Sequence, residues 1–135
     1  MNMKRFLIAC VVVFIFIFAY EWLFHGVLLR DLYAETPTLW RGQANMQGYL
    51  HWLHIGQLWF AVLFCLIFVK GYENKGLGEG VRYGLLIGLL FIGPNLIIYA
   101  VQPLPAILVV AWSIGGLIEM IIAGLIAAAL YRPAI

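Results

Sequence analysis

The chain is poor in charged residues. Asp, Glu, Lys and Arg make up 10% of its 135 residues, whereas a soluble domain carries about 25%. Hydrophobic residues make up 65% of the chain, and the mean hydropathy is +1.01. This balance excludes an ordinary water-soluble domain and predicts a single integral membrane domain over residues 1–135.

Signatures of several functional classes are also missing from the sequence. A net charge of +2 without a clustered basic stretch gives no reason to expect a nucleic-acid partner. The two cysteines, Cys10 and Cys65, both fall in apolar stretches and form no disulfide framework. The sequence has no nucleotide-binding glycine fingerprint, no nucleophile elbow and no nucleophile–base pair that would support an enzyme acting on a lipid or a quinone. These absences favour a non-enzymatic protein.

Four apolar stretches are each long enough to cross a bilayer as a helix, which takes about 20 residues. They cover residues 6–28, 47–70, 81–101 and 105–131. Helices are required because lipid offers no hydrogen-bond partners to backbone amides. We therefore predict an all-α, four-helix transmembrane bundle made of two antiparallel hairpins. The first stretch continues well beyond Cys10, so we expect an uncleaved helix rather than a signal peptide.

Basic residues are divided unevenly between the two ends of the predicted bundle. Six fall at the end that holds both termini, and two fall in the long loop 29–46 at the other end. The six are Lys4, Arg5, Lys70, Lys75, Arg82 and Arg132, and the two are Arg30 and Arg41. Because the loops on the cytoplasmic side carry the excess of Lys and Arg, both termini are predicted to be cytoplasmic.

Ionisable and amide side chains interrupt all four apolar stretches. They are Glu21 and His25 in the first, His51 and His54 in the second, Asn95 in the third and Glu119 in the fourth. Such groups are unfavourable in hydrocarbon unless they have a partner or a function. Glu21, His54 and Asn95 are predicted at a similar depth, roughly 10 Å from the outer end of their helices, and Glu119 at roughly 20 Å.

This convergence predicts a buried polar site near the outer leaflet, formed by Glu21, His25, His54, Asn95 and Glu119. The site would hold a proton, a cation or the polar group of a partner. A metal site at Glu21, His25, His51 and His54 is one version, because imidazole and carboxylate suit zinc, iron or copper. Haem with His25 and His54 as axial ligands is another. A hydrogen-bond network that only fastens the first helix to the second is the structural alternative.

Smaller features accompany this site. Gly80, Gly84 and Gly88 form a face on which two membrane helices can approach closely. Pro94 predicts a kink that frees a backbone carbonyl near Asn95. The glycine-containing loop 71–80 is predicted to be a flexible connector. Cys10 and Cys65 are either a thiol pair for a soft metal or two small apolar residues.

Three short segments carry a resemblance. They are 25–33 (HGVLLRDLY, followed by Leu39-Trp40-Arg41), 81–88 (VRYGLLIG) and 99–103 (YAVQP). Together they resemble small four-helix bacterial membrane proteins of unassigned function, over most of the chain. The resemblance implies a bacterial inner membrane and nothing about activity.

The leading hypothesis is therefore a small non-enzymatic accessory protein or subunit with a buried polar site. Its expected partners are the lipid bilayer and either other membrane subunits or further copies of itself. The alternative is a proton-coupled small transporter that works through Glu21 and Glu119. It would act as a homo-oligomer, because one four-helix bundle is thin for a transport pathway.

Overall fold

Four long helices account for most of the protein, which the computed structural model describes over residues 1–132. Its α-helices are α1 (Met3–Leu23), α2 (Arg30–Ala34), α3 (Gln43–Met46), α4 (Leu50–Lys70), α5 (Leu77–Val101) and α6 (Ala106–Leu130). A π-helical turn, Phe24–Leu28, extends α1, and short 3-10 turns span Pro37–Leu39 and Gln47–Tyr49. No strand occurs within residues 1–132.

The four long helices are apolar and long enough to cross a membrane. The prediction of an all-α protein with four helices able to span a membrane is confirmed for the described residues. The single domain predicted over 1–135 includes residues 133–135, which lie outside the described part of the chain. The third long helix begins at Leu77 rather than at 81, because Gly76, with a φ of 75°, ends the preceding loop there. The first begins at Met3, where the Asn2 side chain accepts a hydrogen bond from the Arg5 amide.

Helices α5 and α6 pack backbone to backbone along the predicted glycine face. A Cβ atom added at Gly84 would lie 2.1 Å from the carbonyl oxygen of Met120, and one at Gly80 would lie 2.3 Å from that of Gly124. Gly88 faces Leu117 in the same way. Only glycine permits this approach, which brings many main-chain atoms into van der Waals contact where lipid gives no hydrophobic driving force.

A buried core joins α1, α4 and α6 near the end that holds residues 1–5 and 131–132, which we call the terminal end. Val13 and Ile17 of α1 are fully or almost fully buried there, and Cys10 and Cys65 lie beside each other. The Asn2 amide donates a 3.0 Å hydrogen bond to the Tyr131 hydroxyl. These contacts hold residues 2 and 131 together.

A second, smaller apolar cluster closes the opposite end, which we call the loop end. It consists of Leu29, Leu104, Leu108 and Val109. In an unbroken α-helix, Leu28 would share a face with Glu21 and Phe24. Leu28 is instead 65% exposed and Leu29 is 6% exposed, because the π turn inserts one extra residue before this point.

The backbones of α4 and α5 stay apart, unlike those of the other neighbouring long helices. Long side chains bridge the gap between α4 and α5 in the half that lies nearer the terminal end. Tyr83 donates a 2.6 Å hydrogen bond to the carbonyl oxygen of Phe64, and the Phe60 and Phe91 rings have centroids 5.5 Å apart. No aromatic pair of the described residues joins the two helices nearer the loop end than Phe60 and Phe91.

A buried carboxylate organises the loop between α4 and α5. The Glu79 side chain is 5% exposed and accepts hydrogen bonds from the amides of Glu73 (2.6 Å) and Lys75 (2.9 Å). Glu73 forms ion pairs with Lys75 and Arg82, and the two cations lower the pKa of the Glu73 carboxyl. The expected flexible connector is thus held by α5, a contact that the glycine content of the loop did not indicate.

Candidate functional site

A cavity of about 500 Å³ lies among the four long helices, on the loop-end side of the core. All four helices and α2 contribute to its wall. Aromatic and aliphatic side chains form most of the lining. The polar lining comes from Glu21, His25, Tyr33, Gln57, Asn95, Trp112 and Glu119. A mostly apolar cavity with a few convergent polar groups is the usual form of a small-ligand site.

A chain of hydrogen bonds links α1 to α4 at one side of this cavity. Gln57 Nε2 donates to Glu21 Oε2 over 2.6 Å, and Gln57 Oε1 lies 3.1 Å from His54 Nδ1. Since Gln57 Oε1 can only accept, His54 Nδ1 carries the proton of that bond. Gln57 is buried, so its amide has no water to replace these partners. Glu21 is therefore held in place by a donor from the facing helix.

A second chain of hydrogen bonds closes the cavity toward the loop end. Trp112 Nε1 donates to the Tyr33 hydroxyl over 2.7 Å, and that hydroxyl lies 2.6 Å from His25 Nδ1. The Tyr33 oxygen accepts from Trp112 and shares a second hydrogen bond with His25 Nδ1, whose direction depends on the histidine tautomer. Burial raises the pKa of the Tyr33 hydroxyl, which keeps this hydroxyl protonated.

Glu119 is the least satisfied polar group of the cavity. Its side chain is 6% exposed, and Oε1 is buried without a hydrogen-bond partner among the described residues. The residues one helical turn before Glu119 are glycines, Gly115 and Gly116, which offer it no side-chain donor. The Tyr20 hydroxyl donates a 2.6 Å hydrogen bond to the Gly115 carbonyl oxygen rather than to the Glu119 carboxyl group. A buried carboxyl oxygen of this kind is unfavourable unless it carries a proton or meets a cation.

Asn95 contributes a weaker contact between α5 and α6. Its Nδ2 lies 3.4 Å from the Ser113 hydroxyl oxygen, at the long limit of a hydrogen bond. Helix α5 continues through Pro94 to Val101, so the proline does not break the helix beside the cavity. Asn95 therefore supplies an amide from an intact helix.

The structure places most of the predicted site residues around one cavity. Glu21, His25, Asn95 and Glu119 line it directly. His54 is half-buried and reaches the cavity only through Gln57. That these residues form a functional site stays a prediction, since their convergence alone assigns no ligand.

The four residues predicted for a metal do not come together. His51 is exposed and its ring packs against Trp52, with centroids 5.2 Å apart. His25 Nδ1 is hydrogen-bonded to the Tyr33 hydroxyl, and His54 Nδ1 is hydrogen-bonded to Gln57 Oε1. In the described part of the chain, no three His, Cys, Asp or Glu side chains form a group that could hold a metal ion. These contacts give no support to the zinc, iron, copper or haem hypotheses.

Three polar residues of the cavity, Tyr33, Gln57 and Trp112, were missed as site residues. Gln57 could have been found, because it lies three residues after His54 on the same helical face. Trp112 gave no specific signal, because a tryptophan in an apolar stretch is also typical of the aromatic belt at a membrane interface. Tyr33 gave no periodic signal, since the π turn before it changes the angular position of every later residue.

Comparison of the chain with protein-family models, with curated proteins and with solved structures finds no match. The assignment of a function therefore depends on the cavity itself. Its two features without a purely structural explanation are the free oxygen of Glu119 and the unfilled volume beside it.

Proposed function

We propose that this protein is a small, non-enzymatic accessory protein or subunit of the bacterial inner membrane whose cavity takes up a proton or a cation at Glu119. The observation that carries the proposal is Glu119 Oε1, which is buried, unpartnered and beside a cavity of about 500 Å³. An ionisable side chain within a membrane helix is a functional candidate by default. The resemblance to four-helix bacterial membrane proteins supports the location.

The charges around the cavity favour uptake of positive charge. Glu21 and Glu119 both line it, and no Lys or Arg of the described chain does. Gln57 supplies a hydrogen-bond donor to Glu21 but no positive charge. Two carboxyl groups in one water-poor space are unfavourable when both are ionised, so a proton or another cation is needed there.

We propose an orientation with both termini in the cytoplasm and the cavity in the outer-leaflet half, built from two antiparallel hairpins. The order of contacts supports the second hairpin, because Gly80, Gly84 and Gly88 meet residues of decreasing number on α6. The bond between the amide of Asn2 and Tyr131 supports termini on one side. The excess of basic residues at the terminal end supports its cytoplasmic location.

Infrared difference spectroscopy of the purified protein tests the uptake of a proton. A pH change should alter the C=O stretching band of a protonated carboxylic acid, because the Glu119 carboxyl exchanges its proton within an apolar site. We expect the Glu119→Gln variant to lose this band, since an amide cannot titrate. The Glu21→Gln variant should shift the band, because it removes the neighbouring negative charge.

Glu79→Gln is the matched control. Glu79 is as buried as Glu119, but both of its oxygens accept hydrogen bonds from loop amides. This variant should retain the band seen in the parent protein. A parent protein without a titrating carboxyl band, or one whose band persists in Glu119→Gln, would contradict the proposal.

Proton-coupled transport by a homo-oligomer is the second candidate. The observation that favours it is the position of Glu21 and Glu119 on one cavity, where two carboxyl groups can compete for a proton and a cation. Proteoliposomes with an imposed pH gradient discriminate the two candidates. Uptake of a cation that stops in Glu119→Gln would favour transport, and binding without uptake would favour the accessory role.

A further inference from the structure

We propose that the cavity binds a lipophilic organic ammonium ion, which enters from the bilayer through the gap between α4 and α5. This inference rests on the proposed uptake of positive charge at Glu119 and names the chemical class of the cation. It follows from three features of the cavity: its aromatic wall, the buried and unpartnered Oε1 of Glu119, and its lateral opening.

The aromatic wall favours an organic cation. Phe24, Phe60, Phe91, Tyr33 and Trp112 all contribute rings to the lining. Aromatic faces attract ammonium groups by cation–π interaction, and cages of such rings are a known means of binding quaternary ammonium groups. A volume of about 500 Å³ is in the range of cavities that hold a small organic molecule.

The carboxyl groups disfavour other cations and phosphate-bearing ligands. Glu21 Oε2 accepts a hydrogen bond from Gln57, and Glu119 Oε1 is buried without a partner among the described residues. Two carboxyl groups among aromatic rings suit a diffuse charge. Magnesium and calcium require several oxygen ligands, and no three His, Cys, Asp or Glu side chains of the described chain form a group that could hold a metal ion. A phosphate group would meet Glu21 and Glu119 without a Lys or Arg in the lining of the described chain to neutralise it.

The cavity opens sideways between α4 and α5. Phe60 and Phe91 form its floor, where the two helices are bridged. Beyond this floor the lining residues Leu53 and Gly56 of α4 are exposed, and Gly56 has no side chain to fill the gap. The opening lies on the exposed sides of α4 and α5, which would face lipid in the proposed membrane location. A ligand that partitions into the bilayer could therefore reach Glu119 without passing the closed loop end.

Binding is a non-covalent exchange at Glu119. The carboxyl group releases its proton to water, and the ammonium ion takes the place of that proton beside the carboxylate. Net charge in the cavity is unchanged by the exchange. Because the proton and the ammonium ion compete, affinity for the ammonium ion should rise as the pH rises.

Equilibrium dialysis with benzyltrimethylammonium and its uncharged carbon isostere, neopentylbenzene, tests the inference. We expect the purified protein to bind the ammonium ion more tightly than the isostere, and more tightly at higher pH. Glu119→Gln should weaken binding of the ammonium ion at least about tenfold, which corresponds to about 1.4 kcal/mol, and leave the isostere unchanged. Glu79→Gln should bind both compounds like the parent protein.

Three glycine variants test the location and the opening. A Cβ atom at Gly56, Gly93 or Gly116 would meet no atom within 4 Å, so each accepts a side chain without a clash at Cβ. Gly116→Leu fills the cavity and should prevent binding. Gly56→Leu should slow uptake of the ammonium ion from vesicles. Gly93→Leu, on α5 outside the cavity lining, should change neither the binding of the ammonium ion nor the rate of its uptake.

The source of the ammonium group is tested in vesicles of two compositions. We expect vesicles that contain phosphatidylethanolamine to give the same binding of benzyltrimethylammonium as vesicles of phosphatidylglycerol alone. The phosphate of the ethanolamine headgroup would meet the carboxyl groups of Glu21 and Glu119, so this lipid should not compete. Competition would assign the ammonium group to a lipid headgroup instead of a free amine.

Equal affinity for the ammonium ion and the isostere, or unchanged affinity in Glu119→Gln, would overturn the inference. If the infrared band of Glu119 still titrates in that case, uptake of a proton survives and only the ligand class fails. If that band is absent as well, the proposed function fails with it.

Discussion

At the scale of single residues, Gln57 determines how the first and second long helices meet. Its amide donates to Glu21 and accepts from His54, so both polar ends are used in a buried place. The position of Glu21 and its need for a partner were predictable from the sequence, because an acid in an apolar stretch demands one. The identity of that partner was not, since the sequence also offered His25, His51 and His54.

Replacing Gln57 by leucine should destabilise the protein by about 1–3 kcal/mol, because Glu21 would lose a buried donor while the cavity keeps its volume. Thermal unfolding in detergent measures the change. His51→Ala is the control on the same helix, and we expect it to stay within about 0.5 kcal/mol because His51 is exposed. Equal stability of the two variants would show that the bond to Glu21 contributes nothing.

At the scale of elements, the helices were predicted better than their ends and their spacing. Apolar stretches of sufficient length fix where membrane helices form, and a row of glycines fixes which face of α5 approaches α6. The π turn after α1 and the separation of α4 from α5 depend on the packing of particular side chains. No periodic pattern reports those contacts, which explains why Tyr33 was missed and the lateral opening was not foreseen.

Gly84→Ala should disrupt the packing of α5 on α6. The added Cβ would lie 2.1 Å from a backbone oxygen of Met120, which cannot move aside as a flexible side chain can. We expect a loss of about 1–3 kcal/mol, measured as a lower midpoint of thermal unfolding. Gly93→Ala, on the same helix with open space at Cβ, should retain or gain up to about 1 kcal/mol. A tolerated Gly84→Ala would refute the close approach of the two helices.

At the scale of the whole molecule, residues 2 and 131 and the loop after α4 gather at one end. The Asn2 amide bonds to the Tyr131 hydroxyl, and the Tyr72 ring packs edge-on against Tyr131 with centroids 5.2 Å apart. The membrane class followed from composition alone. The proposed orientation follows from the distribution of basic residues and needs its own measurement.

Cysteine labelling in intact cells tests that orientation. Cys10 and Cys65 are buried, so a membrane-impermeant maleimide should report only on an introduced thiol. Thr38→Cys, in the exposed loop before α3, should be labelled in intact cells. Gly78→Cys, at the exposed start of α5, should be labelled only after permeabilisation. The opposite pattern would place the terminal end outside the cell.

The π turn at Phe24–Leu28 constrains how this chain can change in length. Winding the same residues as an ordinary α-helix would swing the following segment by about 100° about the helix axis. Leu28 would then occupy the buried place of Leu29, and Tyr33 would rotate away from His25 and Trp112. Removing one residue within the turn would instead take out the extra residue, restore α-helical winding and leave Leu29 and Tyr33 in place.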